Sequence, residues 1–334
     1  TRWRTAGVAA NGRRSAGAPK HRAGRQVTPH SLGQVGVLSK TFRVSHYDLD
    51  ATLASGQAFR WQSLGQAWEG VIGGRWVRLC AAKDGIATEV INPVSDWSWL
   101  EEYLQLQVDL GQVLATFPDD EPMRNAVAAL PGLRLLRQDY WECLASFILS
   151  ATKQIVQIRQ MVALLSERHG EPIASGGDDP AFAFPTIEVI ASCSEKELRE
   201  CKLGFRAPNL LAAARDILDK KINWRRLPTM ATDETREELM KLRGVGPKIA
   251  DCVLLFAGVH HEVFPVDVWI ERALQQLYFP KRRPSAKRLR KFADTHFGPY
   301  AGYAQQYLFH HLGLMLNLHH HCHLLNFHHH HQLQ

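Results

Sequence analysis

No C-x-x-C pair occurs in the chain, and the six cysteines at 80, 143, 193, 201, 252 and 322 nowhere take the spacing of zinc or iron–sulfur ligation. They read as reduced thiols of an intracellular protein, and no cofactor is expected. No apolar run approaches the roughly 18 to 20 residues that a membrane span requires. The Arg-rich start is not followed by an apolar segment, so a secretory signal is not expected, although an organelle transit peptide shares this composition. Repeats with periods of roughly 20 to 50 residues are also missing, which excludes solenoids and propellers. Acid is missing from residues 1 to 47, which hold nine basic side chains. The other 287 residues carry 31 basic against 33 acidic, a net −2, although the whole chain is +7. A polyanion partner for the folded part must therefore be argued from local patches.

What is present is a globular composition, with 45% apolar residues across 334 positions. Residues 1–36 are rich in Gly, Ala, Ser and Arg without periodicity and read as a disordered basic arm. From Thr41 to Ile91, short β-like runs such as 41-TFRVSH, 57-QAFRWQSL, 67-AWEGVI, 75-RWVRLC and 86-IATEVI alternate with turn signals at Gly73-Gly74 and Lys83-Asp84-Gly85. After Pro93 the apolar spacing becomes helical, as in 141-WECLASFILS, 154-QIVQIRQMVALLSERHG and 208-PNLLAAARDILDK. The expected architecture is α+β, with an antiparallel β domain over 37–118 and a helical domain over 119–316. The tail, 317–334, is His-rich and low in complexity; it reads as a tag-like end or, alternatively, a metal-binding tract.

The segment 242-LRGVGPKIADC-252 carries chemistry. A helix-like run ends at Arg243-Gly244, and Pro247 suits the first turn of a new helix. Gly244, Val245 and Gly246 lie between them, so the segment reads as a helix-hairpin-helix whose free N–H groups form an anion site fitted to a DNA phosphate. A nucleotide-binding P-loop is excluded, because its glycine spacing and the hydroxyl after the lysine are both absent. Lys248 then stands at a helix start, where the dipole disfavours a cation. Two roles stay open on these residues alone: a phosphate contact, or a nucleophilic amine, which would need desolvation or a neighbouring positive field. In 264-FPVDVWIERAL, Asp267 sits at an N-cap position, and a carboxylate held there can also face a developing cation.

These segments, with 55-SGQAFRW, 142-ECLASFILS, 202-KLGFRA, 265-PVDV and 298-GPYAGYAQQYLF, resemble the 8-oxoguanine DNA glycosylase/AP lyases of the helix-hairpin-helix superfamily. The resemblance covers about residues 40–312 in family order. It implies a small TBP-like antiparallel β domain packed on a helix-hairpin-helix glycosylase domain, with DNA bound across the hairpin. It also implies a bifunctional activity, in which 8-oxoguanine is flipped out and excised and the strand is then nicked by Schiff-base β-elimination. Lys248 takes the family's nucleophile position and Asp267 that of its acidic partner. Gly56 takes the position whose carbonyl meets N7–H of the lesion, Gln305 that of the Watson–Crick reader, and Phe309 and Cys252 those of the residues that sandwich the base.

Around the orphan cytosine, Arg206 matches one reading arginine and Phe205 an aromatic wedge. Thr152 stands where an asparagine wedge is found, Gln157 where a second arginine is found, and Trp269 where a phosphate-contacting histidine is found. The expected partner is duplex DNA containing 8-oxoguanine, bound by a monomer with no membrane association. The expected compartment is the cytoplasm or nucleoid in a bacterium and the nucleus in a eukaryote. Alternatives are a glycosylase of the superfamily acting on another damaged base, and a non-enzymatic module that only grips phosphate. The run 281-KRRPSAKRLRK-291 reads either as a solvated loop and helix start or as a phosphate-tracking surface.

Overall fold

The computed structural model describes residues 36–91 and 95–315. The expected basic arm, apart from Gly36, and the His-rich tail lie outside the described residues. The sheet contains β1 (Val37–Arg43), β2 (Gln62–Leu64), β3 (Ala67–Ile72), β4 (Arg75–Ala82) and β5 (Gly85–Ile91), in the spatial order β1-β5-β4-β3-β2 with every pair antiparallel. Period-two alternation buries Ile86, Thr88 and Val90 of β5 on one face, as a half-covered sheet requires. Trp61 is buried over the backbone of Gly70, where an added Cβ would lie 2.7 Å from the indole. Its Nε1–H donates to the Tyr103 hydroxyl at 2.8 Å, so the ring is buried without an orphaned donor.

The β region also contains a helix that the sequence reading did not anticipate, α1 (Leu49–Ala54). Asp48 caps it by accepting from Ala51 N at 2.8 Å, and the Asp50 carboxylate accepts from the Trp68 indole. The stretch 57–61, read as strand, is irregular chain. Then come α2 (Ser98–Tyr103), which packs Leu100 and Tyr103 on the sheet, and α3 (Leu110–Leu114), which sends Leu110 and Val113 into the helical core.

Helices α4 (Glu121–Ala129), α5 (Tyr140–Leu149) and α6 (Ile155–His169) follow. A two-stranded hairpin of β6 (Pro172–Ile173) and β7 (Ala181–Phe182) interrupts the part expected to be all-helical. The chain continues through α7 (Ile187–Ser192), α8 (Glu195–Glu200), α9 (Ala207–Leu218), α10 (Thr232–Met240), α11 (Pro247–Phe256), α12 (Val268–Tyr278), α13 (Ala286–His296) and α14 (Ala301–Met315). Among these helices, α5 and α11 are the most apolar, and both are buried almost throughout. No described helix is long and apolar enough to cross a membrane.

Sheet and helices meet at buried Arg134. Its backbone N–H donates to Thr52 Oγ1 at 3.0 Å, and its guanidinium donates to the carbonyls of Ser45, His46 and Val108. Nearby, a cavity of about 260 Å³ is lined by Arg60, Tyr103, Arg137 and Glu142, among others. Burial pushes the Glu142 carboxyl up to about 7, against the pull of Arg60. The folded protein therefore keeps a proton that the unfolded chain releases, so stability should fall as pH rises from about 4.5 to about 7 and then level off. Glu142→Gln should remove that slope, worth about 1 to 3 kcal/mol. Denaturant midpoints of both proteins at about pH 5 and about pH 8 would measure it; parallel pH dependences would refute the assignment.

Candidate active site

The hairpin joins α10 to α11 through Gly244, Val245 and Gly246. Gly244 has φ +82°, and an added Cβ would lie 2.6 Å from Asn209 Nδ2, so this position is glycine for both conformation and close packing. Val245 is buried, and its N–H donates to Leu242 O at 3.1 Å, closing the turn from within. Gly246 is the extended N-cap of α11, and among the described residues no atom beyond its two chain neighbours lies within 4 Å of where its Cβ would stand. The first-turn N–H groups of α11 have no carbonyl within their own helix to bind, so the open side of Gly246 is an approach for an anion. Arg236 of α10 pairs with buried Asp251 of α11 at 2.7 Å and fixes the two helices against each other. Burial pushes the Asp251 carboxyl up despite that partner.

Lys248 lies half-buried at the second position of α11. Its Nζ donates to Ser150 Oγ at 3.3 Å and stands 5.1 Å from the centroid of the Phe147 ring. Ser150 spends its own proton on the Phe147 carbonyl at 2.7 Å, which leaves its oxygen free to accept from the lysine. Phe147 is itself stacked on Phe256 at 5.6 Å and braced edge-on by Phe59. The amine thus rests on a platform built by α5. Cys252, one turn further along α11, is buried, and burial pushes its thiol up to about 12. Lys248 opposes that shift and Asp267 reinforces it, so amine, thiol and carboxylate share one small region. Asp267 caps α12 as expected, accepting from Ile270 N at 2.8 Å, which holds the carboxylate in a fixed direction.

Gly56 and Phe309 meet although 253 positions separate them: a Cβ on Gly56 would lie 3.8 Å from Phe309 Cε1 and 2.7 Å from Ile155 Cδ1. Gly56 has φ +80°. The residue after it, Gln57, is buried; its two amide protons are shared among Thr52 O, Ser55 Oγ and Arg134 O, and its oxygen accepts from Leu136 N. On the other side, Gln306 donates to Ser55 O at 2.9 Å. Gln305 lies one helical turn before Phe309 on α14. It is buried, and its Oε1 has no hydrogen-bond partner among the described residues, an acceptor suited to a donor arriving from outside.

A third group lies beside Ser150. Thr152 takes φ +56°, and Arg206 donates to its Oγ1 at 2.8 Å and to Ala151 O through Nε at 2.8 Å. Arg206 is buried, and its guanidinium stacks on the Phe205 ring at 4.1 Å, whereas Phe205 itself is 59% exposed. Gln157 is engaged locally, its Oε1 accepting from Gln154 N at 3.4 Å. Trp269 is exposed at the start of α12, with the Arg272 guanidinium 5.0 Å from its ring.

A family model described as 8-oxoguanine DNA glycosylase, N-terminal domain, matches residues 41–144, and one described as HhH-GPD superfamily base excision DNA repair protein matches residues 145–298. A probable N-glycosylase/DNA lyase of Methanothermobacter thermautotrophicus is 32% identical over 232 residues, 64% of this chain and 73% of that protein. The structure of MBOgg1 with a low-affinity DNA ligand superposes with a TM-score of 0.78 at 32% identity, covering 85% of this chain and 99% of that one. A Clostridium acetobutylicum 8-oxoguanine glycosylase/lyase, solved with dsDNA containing cytosine opposite 8-oxoG, gives 0.77 at 30%, covering 84% and 98%. The chain belongs to the 8-oxoguanine DNA glycosylase family.

In this glycosylase the structure brings Lys248, Cys252 and Asp267 into one region, Gly56 and Phe309 into a second, and Thr152, Arg206 and Phe205 into a third. Four contacts were not anticipated from sequence: Phe147 and Ser150 at the lysine, Gln306 on Ser55, and Asn209 under Gly244. A buried Gln-Gln pair in an otherwise apolar helix was the one available signal, and only its first member was used. The two hairpin glycines should separate experimentally. Gly244→Ala should cost about 1 to 2 kcal/mol, from backbone strain and the Asn209 clash. Gly246→Ala should melt like the parent yet bind duplex DNA roughly tenfold more weakly, the equivalent of one charged hydrogen bond. Thermal melts and anisotropy titrations check both; full duplex affinity in Gly246→Ala would rule out phosphate approach there.

Proposed function

We propose that this chain excises 8-oxoguanine from duplex DNA and nicks the resulting abasic site, with Lys248 as nucleophile and Asp267 as its electrostatic and acid–base partner. The observation that carries the reading is Lys248 itself, a lysine at a helix start, propped on Phe147 and Ser150 and sharing the Cys252 region with Asp267. A surface phosphate contact would not need such a platform. Departure of the base takes the N9–C1′ electron pair and leaves positive charge on the sugar. The fixed Asp267 carboxylate faces that charge, and the neutral amine supplies the electron pair that forms the new C1′–N bond. Loss of a proton and ring opening give a Schiff base. It acidifies C2′–H, and β-elimination then expels the 3′ phosphate. Attack on C1′ requires the amine with its lone pair free.

In the same reading the lesion lies between Cys252 and Phe309, with the Gly56 carbonyl accepting from N7–H. Normal guanine offers a lone pair at N7 and is repelled. Gln305 Oε1 then accepts from the donor edge of the flipped base. The flip itself costs roughly a few kcal/mol of unstacking, which the wedge at Phe205 and Thr152 offsets.

Borohydride should trap a covalent complex between the protein and an 8-oxoguanine duplex. Lys248→Gln should lose that complex while keeping lesion binding within about threefold. Equal loss of binding and trapping would return Lys248 to a phosphate contact. For lesion recognition, Gly56→Ala should lower the excision rate of 8-oxoguanine by about tenfold or more, because the added methyl meets Ile155 and Phe309 and the φ of +80° strains it. An unchanged single-turnover rate on that duplex would remove the Gly56 carbonyl from the base pocket.

A further inference from the structure

The sequence run at 281–291 packs seven cations into eleven residues, in a chain whose residues 36–315 hold 33 basic against 33 acidic side chains. Lys281, Arg282 and Arg283 lie in the connection between α12 and α13, and Lys287, Arg288, Arg290 and Lys291 lie on α13. Six of the seven are exposed, and among the described residues none of the seven is in an ion pair. The seventh, Arg290, lies within electrostatic reach of Asp251. Leu289 and Ala293 of α13 are buried in the same core cluster as Val245 and Ile249, so the basic run lies on the unit that carries the hairpin and the proposed nucleophile.

The local cost argues that these charges serve something other than the fold. The first turn of α13 contains no acid, and Lys287 and Arg288 stand there against the positive end of the helix dipole. The apolar side of the helix is complete without them, with Leu289 and Ala293 buried. Seven like charges in eleven residues also repel one another. An external row of negative charges would relieve both penalties at once.

We propose that the 281–291 segment is a second DNA-contact surface, which tracks the phosphates of the duplex beyond the hairpin site and sets the salt sensitivity of binding. This rests on the glycosylase reading above for the identity of the polyanion as duplex DNA. The hairpin grips one phosphate through backbone N–H groups, a geometric contact. The α13 surface adds a diffuse contact that releases counterions, strengthening capture and search without touching the base.

The test is anisotropy of the full chain on an 8-oxoguanine duplex across a salt series. Comparison variants are the triple Lys287→Gln, Arg288→Gln, Lys291→Gln and the loop pair Arg282→Gln, Arg283→Gln. Each lost phosphate contact should flatten the slope of log K against log salt by about 0.9, so the triple should lose about 2 to 3 and the pair about 1 to 2. Single-turnover excision at saturating enzyme should stay within about twofold. The triple should melt no lower than the parent, because first-turn cations oppose the dipole, whereas a folding role would lower its melting temperature. Unchanged slopes in both variants overturn the proposal, as does loss of heparin binding with duplex binding intact. If the parent protein binds duplex but fails to excise, the functional reading falls, while the slopes still decide this one.

Discussion

The first N–H groups of an α-helix have no carbonyl in their own helix to bind, and in this molecule the proposed chemistry is arranged around two such ends. At the start of α11 the cap is a glycine, whose open side leaves those donors to an incoming phosphate. At the start of α12 the cap is Asp267, which uses one oxygen to satisfy Ile270 N. Lys248 and Asp267, at these two helix starts, both act on the Cys252 thiol, so the two starts lie near one another. A cation placed there has to be held by something else. Ser150 and the face of Phe147 do that for Lys248 while no substrate is bound.

The sheet supplies no proposed catalytic group, but the turn after α1, in the same N-terminal region, carries Gly56 of the proposed base site. Ser55, Gly56 and Gln57 form a turn that is pinned from below by the Gln57 amide, whose two N–H protons are shared among Thr52 O, Ser55 Oγ and Arg134 O and whose oxygen accepts from Leu136 N, and from above by Gln306. A free loop with glycine at its centre would sample many conformations, and each fixed residue costs about 1 to 2 kcal/mol of backbone entropy. Four hydrogen bonds to buried groups at about 1 kcal/mol each are enough to offset much of that cost and keep the Gly56 carbonyl in one orientation. The N-terminal region and the last described helix thus meet at Gly56, the contact that the proposed base site needs from residues 253 positions apart.

Local signals were legible in the sequence. The Gly244-Val245-Gly246-Pro247 punctuation fixed the hairpin, and the Asp267 cap was read at the correct helix start. Hairpin turns at Gly73-Gly74 and Lys83-Asp84-Gly85 gave three strands almost to the residue. The misses have a common cause. Helix α1 is six residues long, too short for periodicity to show, and its cap at Asp48 lies in a stretch of β-like composition. Ser150 and Gln306 act on partners 98 and 251 positions away, which no local pattern encodes. The burial of Arg206 is of the same kind: as a sequence feature it is a charged residue before a helix, and only the fold brings it under Thr152.

Arg206 also changes how recognition of the opposite base must be counted. Its guanidinium is already bonded to Ala151 O, Leu203 O and Thr152 Oγ1 and stacked on Phe205. Burial lowers its tendency to hold the charge, so those bonds compensate the desolvation. If Arg206 is the proposed contact to the opposite base, that base gains one uncommitted guanidinium N–H and otherwise only the difference between its own bonds and the ones it displaces. Hydrogen bonds to charged groups are worth about 1.5 to 3 kcal/mol each, so exchanging two for two leaves little net energy for discrimination. Gln157, which the resemblance places at a second reading position, is neutral and engaged with Gln154 N. On the proposed lesion side the acceptor is still open, since Gln305 Oε1 has no hydrogen-bond partner among the described residues.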